Sequence, residues 1–158
     1  MPADYRAVTH IALNVPSLRE AEEFYRQLFR LDVAFRETER PDGWWTLPRE
    51  AGWTDAEAAG VTPQLSVLQR DALALALEAG EAADGSRLNH IGLQVSGEEM
   101  ERLRRRAPGL HCQVLADRPD LLVLLDPYAV QWELSTNPSL VSTGDRTGRW
   151  LDLKGMTS

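Results

Sequence analysis

The sequence has one cysteine, Cys112, among its 158 residues. A single cysteine excludes a disulfide within the chain and is typical of a reducing compartment. The chain also lacks an apolar run close to the roughly 20 residues that a helix needs to cross a bilayer. It begins with no leader of the signal-peptide type. These absences predict a cytoplasmic protein that makes no membrane contact.

The sequence has fewer basic residues than acidic residues. The chain has 17 Lys and Arg against 24 Asp and Glu, which gives a formal net charge of −7 and a pI near 5.0. Nucleic-acid-binding proteins normally concentrate basic residues on one face. The basic cluster at Arg102 and residues 104–106 lies beside three glutamates, and we interpret it as a solvated helix face. The composition therefore argues against a nucleic-acid partner.

Histidine is scarce as well, yet two of the three histidines occupy equivalent places in a repeated motif. Residues 8–15 read VTHIALNV and residues 88–95 read LNHIGLQV, so His, Ile, Leu and Val recur in register. The repeat predicts a duplicated structural unit that carries one histidine per copy, His10 in the first and His90 in the second.

Each repeated motif alternates in the manner of a half-buried strand. Successive side chains of a strand point to opposite faces, so Ile11 and Leu13 lie opposite His10 and Asn14. The second copy divides in the same way around His90. We interpret the isoleucine and leucine face as core and the histidine face as the wall of a cavity.

A predicted helix follows each repeated strand. Ser17 with Glu20, and Ser96 with Glu99, both match the capping box that begins a helix. In the first helix, apolar residues at positions 21, 24, 25 and 28 form a stripe that we expect to lie on a sheet. In the second, positions 100, 103 and 107 form the corresponding apolar line.

Strand-like runs after each helix complete a βαβββ order that occurs twice. The runs are residues 32–39, 43–47 and 62–70 in the first half, and 109–116, 121–125 and 130–136 in the second. We expect one domain, residues 1–158, because half-units of about 70 residues share a core more readily than they fold alone. Its parts are a first module (6–70), a linker (71–87), a second module (88–137) and a tail (138–158).

Two segments of this plan are less clearly patterned. Residues 71–79 alternate alanine and leucine, which is compatible with a strand or a helix, and the composition favours the helix. In the tail, Trp150 and Leu151 are the residues expected to anchor the chain to the body of the protein.

The last predicted strand carries a third candidate functional residue. Alternation places Val130, Trp132 and Leu134 on the apolar face and Glu133 on the opposite face. Two imidazoles, from His10 and His90, and this carboxylate suit divalent Fe, Mn, Co, Ni or Zn better than calcium. Such a set leaves positions open for a small-molecule substrate with two adjacent oxygens, toward which the metal acts as a Lewis acid.

In this order and spacing, the segments resemble the vicinal oxygen chelate superfamily, which includes glyoxalase I, extradiol dioxygenases, and fosfomycin- and bleomycin-resistance proteins. The resemblance rests on the two repeated strands, the helix sequence SLREAEEFYRQLF and the ending LDPYAVQWEL, and it covers about residues 8–137. It implies an α+β fold in which two βαβββ modules form an open, curled mixed β-sheet barrel with helices outside. It also implies His10, His90 and Glu133 as metal ligands.

The strand that ends the first module has no acidic residue to serve as a fourth ligand. Aligning residues 64–67 with residues 131–134 puts Ser66 opposite Glu133. This departs from glyoxalase I and leaves two histidines and one carboxylate, which resembles the dioxygenase branch. We predict that Gln64 and Ser66 line the cavity as substrate-binding residues without ligating the metal strongly.

The dioxygenase branch also tends to use a further histidine or tyrosine as an acid–base group. His111 is the remaining histidine, and it lies on the predicted sixth strand, where either an inward or a surface position is open. Tyr128 lies in the segment DPYA, where turn formation is the alternative role. His111 and Tyr128 are therefore candidate catalytic residues.

Trp44 and Trp45 support a competing hypothesis. They are adjacent on the predicted third strand, so one faces each way, and an aromatic side chain in the cleft would stack on a flat ligand. Bleomycin-resistance proteins bind ligands in this manner, and an acidic surface favours cationic drugs. The sequence thus predicts a metal-dependent enzyme of dioxygenase, lyase or isomerase type, with a metal-free ligand-sequestering protein as the alternative. The sequence does not decide between a monomer and a homodimer.

Overall fold

A computed structural model of the chain describes residues 3–81, 85–127, 129–137 and 150–156, apart from the side chain of Phe29. Nine strands and three α-helices lie within these residues. In chain order they are β1 (Tyr5–Val15), α1 (Leu18–Phe29), β2 (Asp32–Arg40), β3 (Gly43–Thr46), α2 (Trp53–Ala58), β4 (Leu65–Arg70), β5 (Leu73–Ala79), β6 (Leu88–Val95), α3 (Gly97–Arg106), β7 (Gln113–Arg118), β8 (Leu121–Leu125) and β9 (Gln131–Ser135). The α+β class and the repeated βαβββ order are confirmed.

The chain forms two compact units. The histidine unit is formed by the described residues within 1–13 and 88–143, and the intervening unit by those within 14–87 and 144–158. Among the described residues, no helix combines the length and the apolar character that crossing a membrane requires.

The histidine unit is a mixed sheet covered by α3. Its strand order is β1-β6-β9-β8-β7, and β6 and β9 run parallel while the other neighbouring strands are antiparallel. Met100 and Ala107 of α3 are 1% and 4% exposed and pack against Leu122 and Leu134, which confirms the predicted apolar line of this helix. The Ser96 hydroxyl accepts a hydrogen bond from the Glu99 amide at 3.1 Å and caps the helix as expected.

The intervening unit is an antiparallel sheet in the order β3-β2-β4-β5, accompanied by α1 and α2. Its hydrophobic cluster includes Leu47, Ala56 and Val61. Leu151 joins this cluster, and its amide donates to the Thr46 carbonyl at 2.7 Å. The tail is therefore anchored at the position expected from the sequence.

The helix favoured for residues 71–79 is wrong, because residues 73–79 form strand β5. This strand pairs with β4 from Leu73 with Arg70 to Glu78 with Leu65. Residues 74–77 are buried. Pairing and burial on this scale outweigh the intrinsic helix preference of alanine and leucine.

The predicted contact face of α1 is also wrong. Phe24 and Leu28 of the proposed apolar stripe are 57% and 55% exposed, whereas Leu18 and Glu22 are 5% and 2% exposed. Positions 18 and 22 are one helical turn apart, so they share the face that lies against the sheet. On this face Glu22 forms a buried ion pair with Arg36.

Candidate metal centre

Three strands of the histidine unit bring together His10, His90 and Glu133. Strand β6 lies between β1 and β9, and its residue Gly92 is paired with His10 on one side and with Glu133 on the other. Glu133 points away from the core residue Leu134, which is 4% exposed, as the alternation of β9 predicts.

The three side chains converge at distances suited to a shared ion. His10 Nε2 lies 2.6 Å from His90 Nε2, and His90 Nε2 lies 3.5 Å from Glu133 Oε2. One ligand atom from each residue falls within 4.8 Å of the others. Atoms in adjacent positions around an ion that binds them at about 2.1 Å lie roughly 3 Å apart. Small side-chain rotations therefore allow this donor set to hold one divalent transition metal.

Both histidines are held neutral by their surroundings. Burial, followed by the charge of His90, lowers the pKa of His10 to about 4, and burial also lowers the pKa of His90. Neutral imidazole is the form that ligates a metal. Two ring nitrogens that face each other at 2.6 Å with their lone pairs repel unless they share a proton or coordinate a common cation.

Glu133 stands at the more open side of the cluster. Burial raises the pKa of Glu133, and the positive charge of Arg118 acts in the opposite direction. His10 is 3% exposed, while the side chains of His90 and Glu133 are 14% and 26% exposed. The Glu133 side of the cluster is therefore the side more open to solvent, and a cation there would offset the cost of the buried carboxylate.

Of the two candidate acid–base residues, His111 is not on a strand. It ends a 3-10 helical turn, Pro108–Leu110, where its φ of 62° is left-handed and its side chain is exposed. The prediction that it lies on the sixth strand is wrong, because this turn delays β7 until Gln113. Tyr128 lies outside the described residues, so its catalytic role stays a prediction.

Ser66 does not line a cavity, contrary to the prediction. It is 0% exposed, and its hydroxyl donates to Glu22 Oε2 at 2.7 Å. Its neighbour Val67 is also 0% exposed, so both faces of β4 are covered and the polar face of this strand does not mark an open cavity wall. Gln64 Oε1 accepts from the Glu39 amide at 2.7 Å and so links the start of β4 to β2.

The tryptophans Trp44 and Trp45 face opposite ways, as predicted for adjacent strand residues. Trp44 is 37% exposed. Trp45 is partly buried against the cluster that contains Leu47, and its Nε1 donates to Asp42 Oδ1 at 2.8 Å. Their role in binding substrate stays a prediction.

Three neighbours of the histidines were not indicated by the sequence patterns. Thr9 Oγ1 lies 2.9 Å from His10 Nδ1, and Asn89 Oδ1 lies 2.8 Å from His90 Nδ1. Gly92 leaves room for the His10 ring, since a Cβ there would overlap it. The available signal was the small residue, alanine or glycine, two positions after each histidine.

Neither a protein-family model nor a curated protein matches the sequence. Solved structures do match it. A halotolerant catechol dioxygenase has a TM-score of 0.58 and 15% identity over 96% of this chain and 47% of its own. Homoprotocatechuate 2,3-dioxygenase from Brevibacterium fuscum has a TM-score of 0.58 and 15% identity over 87% and 38%. Methylmalonyl-CoA epimerase from Mycobacterium tuberculosis has a TM-score of 0.53 and 14% identity over 88% and 92%.

The chain therefore shares its fold with these two dioxygenases and with the epimerase. The fold that the sequence resemblance implies is confirmed. The chain spans less than half of the length of the two dioxygenases, at 47% and 38%, and nearly the whole length of the epimerase, at 92%. Proteins that share this fold therefore carry out different reactions, and activity has to be argued from the site.

Proposed function

We propose that the protein is a metal-dependent enzyme in which His10, His90 and Glu133 hold one divalent transition metal. The observation that carries the proposal is the convergence of two neutral imidazoles and a carboxylate on adjacent strands. When bound, the metal would supply Lewis acidity toward a substrate that meets it through two adjacent oxygens.

The three residues differ in what they contribute. His10 is the deepest member and is shielded from water, so it anchors the centre. His90 and Glu133 are more open, so they border the side from which a small oxygen-rich substrate enters. Imidazole and carboxylate ligands suit Fe, Mn, Co, Ni or Zn. The proposed reaction is of dioxygenase, lyase or isomerase type, in keeping with the fold shared with dioxygenases and an epimerase.

Sequestration of a drug without a metal is not favoured. Trp45 is a poor stacking surface, because its Nε1 donates to Asp42 Oδ1 and it packs against the core of its own unit. A binding groove alone would also have no use for the three converging ligands. The proposed partner remains a small molecule, and the proposed compartment remains the cytoplasm because the sequence is poor in cysteine.

Metal content provides the first test. We expect protein purified without chelator to contain one equivalent of a divalent transition metal by elemental analysis. Glu133→Ala and His90→Ala should lose it, whereas His111→Ala should keep it because His111 is exposed in a turn. An unchanged metal content in Glu133→Ala would contradict the assignment.

Turnover provides the second test. Protein loaded with each of the five metals should be screened against catechols, α-hydroxyketones and vicinal diols in air. We expect turnover of one of these classes that chelation abolishes and metal replacement restores. Tight binding of a cationic aromatic drug to metal-free protein, without turnover of any of these substrates, would favour sequestration instead.

A further inference from the structure

Thr9 and Asn89 occupy the same position in the two repeats, immediately before each candidate ligand. Each contacts the Nδ1 atom of the histidine that follows it, at 2.9 Å for Thr9 and 2.8 Å for Asn89. Neighbouring side chains in a regular strand point to opposite faces. Contact between residues that are adjacent in sequence therefore requires an irregular backbone.

The irregularity is a β-bulge before each histidine. In the ladder between β1 and β6, Val8 pairs with Leu93 and His10 pairs with Gly92, so Thr9 is an extra residue on β1. Farther along, Ala12 pairs with His90 and Leu13 pairs with Leu88, so Asn89 is an extra residue on β6. A bulge re-aims the side chains around it. Each strand thus uses one bulge to bring a polar side chain beside its own histidine.

The chemistry of Asn89 determines which nitrogen of the His90 ring is free. Asn89 Oδ1 carries no hydrogen and can only accept, so His90 Nδ1 donates to it and Nε2 keeps its lone pair. The Thr9 hydroxyl can donate to His10 Nδ1 or accept from it, so it holds the orientation of the His10 ring in either tautomer. The Nε2 atoms of the two rings lie 2.6 Å apart within the cluster, a distance at which one donates to the other unless both bind a cation.

We infer that Thr9 and Asn89 are positioning residues for metal binding. Both residues fix the orientation of the histidine ring that follows them, and Asn89 also fixes the tautomer of His90, so that Nε2 of each ring is presented to the ion. The inference rests on the proposed function, since it assigns these residues a role toward the same metal.

Matched substitutions separate this role from a purely structural one. Thr9→Val and Asn89→Leu retain approximate size but remove the acceptor, whereas Thr9→Ser and Asn89→Asp retain an oxygen acceptor. The measurements are Co²⁺ affinity, by competition with a chelating dye, and the visible absorption spectrum of bound Co²⁺. Unfolding of the metal-free proteins monitors the fold, and Thr9→Ala and Asn89→Ala replace any larger variant that does not fold.

We expect Thr9→Val and Asn89→Leu each to bind Co²⁺ about 10- to 100-fold more weakly, with an altered spectrum. Thr9→Ser and Asn89→Asp should remain close to the parent. If the parent binds Co²⁺ and the acceptor-free variants bind it equally well, the inference is overturned and the proposed function stands. Equal losses in Thr9→Val and Thr9→Ser would also overturn it. If the parent protein binds no Co²⁺, both the inference and the proposed function are wrong.

Discussion

Because Gly92 has no side chain, the His10 ring has room to lie against β6. A Cβ at this position would overlap Cε1 and Nδ1 of His10 and crowd the Thr9 hydroxyl. The equivalent residue of the other repeat is Ala12, which is paired with His90 and is 1% exposed. A methyl group is thus accommodated opposite one histidine and excluded opposite the other.

Gly92→Ala should therefore weaken metal binding by at least about tenfold and destabilise the protein by about 1–3 kcal/mol, because the His10 ring must move. The matched control is Gly97→Ala at the start of α3, where a Cβ would meet nothing within 4 Å. The control should leave metal affinity unchanged. Metal titration and urea unfolding measure both effects, and parental affinity in Gly92→Ala would contradict the steric argument.

The pH dependence of metal affinity is a second property set by single residues. An unperturbed histidine would lose affinity for the metal below about pH 6.5, where its ring takes up a proton. Burial instead lowers the pKa of His10 to about 4 and also lowers that of His90. Because protons then compete less well for the imidazoles, we expect affinity to change little between pH 7.5 and about 6.

Below that range affinity should fall, since burial raises the pKa of Glu133 and the carboxylate begins to take up a proton sooner than usual. Titration of Zn²⁺ or Co²⁺ at a series of pH values measures the profile. A tenfold loss of affinity per unit beginning directly below pH 6.5 would show that the histidines titrate as exposed groups.

At the scale of elements, α1 is held to its sheet by a buried carboxylate. Glu22 accepts hydrogen bonds from Arg36 Nη2 at 2.6 Å, Arg36 Nε at 2.8 Å, Ser66 Oγ at 2.7 Å and Trp53 Nε1 at 3.1 Å. Burial raises the pKa of Glu22, but the hydrogen bonds from Arg36, Ser66 and Trp53 prevail and lower it. These partners come from β2, β4 and α2, so one side chain joins four elements.

We expect Glu22→Ala to lower the free energy of unfolding by about 3–5 kcal/mol, because it leaves the Arg36 guanidinium buried without its counter-charge. The control is Glu57→Ala, which breaks an ion pair with Arg19 whose side chains are 60% and 57% exposed. That change should cost at most about 1 kcal/mol. Urea denaturation measures both, and equal losses would refute the dominant role of the buried pair.

At the scale of the whole molecule, the candidate ligands come from residues 10, 90 and 133, so a bound metal would connect strands that are far apart in sequence. A ligand that binds only the folded state stabilises it by RT ln(1 + [L]/Kd), so the gain rises with the logarithm of the free ligand concentration. At 100 times its Kd, the metal should add about 2.7 kcal/mol.

This gain corresponds to a rise in Tm of about 5–10 °C for a chain of this length. Thermal unfolding with and without metal tests the expectation, and a chelator should reverse the rise. Glu133→Gln serves as the control because it retains the shape of the side chain while removing its charge. If the metal does not change the Tm of the parent protein, or raises the Tm of Glu133→Gln by the same amount, this linkage is contradicted.

The sequence by itself determined the features that depend on local periodicity. Strands alternate with a period of two residues and helices with a period of 3.6 residues. From these periods one can predict the repeated strands at residues 8–15 and 88–95, the helices that follow them, and the alternation that sets Glu133 opposite Leu134. These patterns also brought His10, His90 and Glu133 to notice as a group, because each lies on the polar face of its strand.

The tertiary structure alone decided which partners each segment meets. Burial of Glu22 on α1 depends on Arg36 and on two further partners distant in sequence, and the strand at residues 73–79 depends on pairing with β4. The bulges at Thr9 and Asn89 arise from the register between β1 and β6. Such features depend on long-range pairing and on the cost of burying charge, and neither has a local periodicity that a single sequence displays.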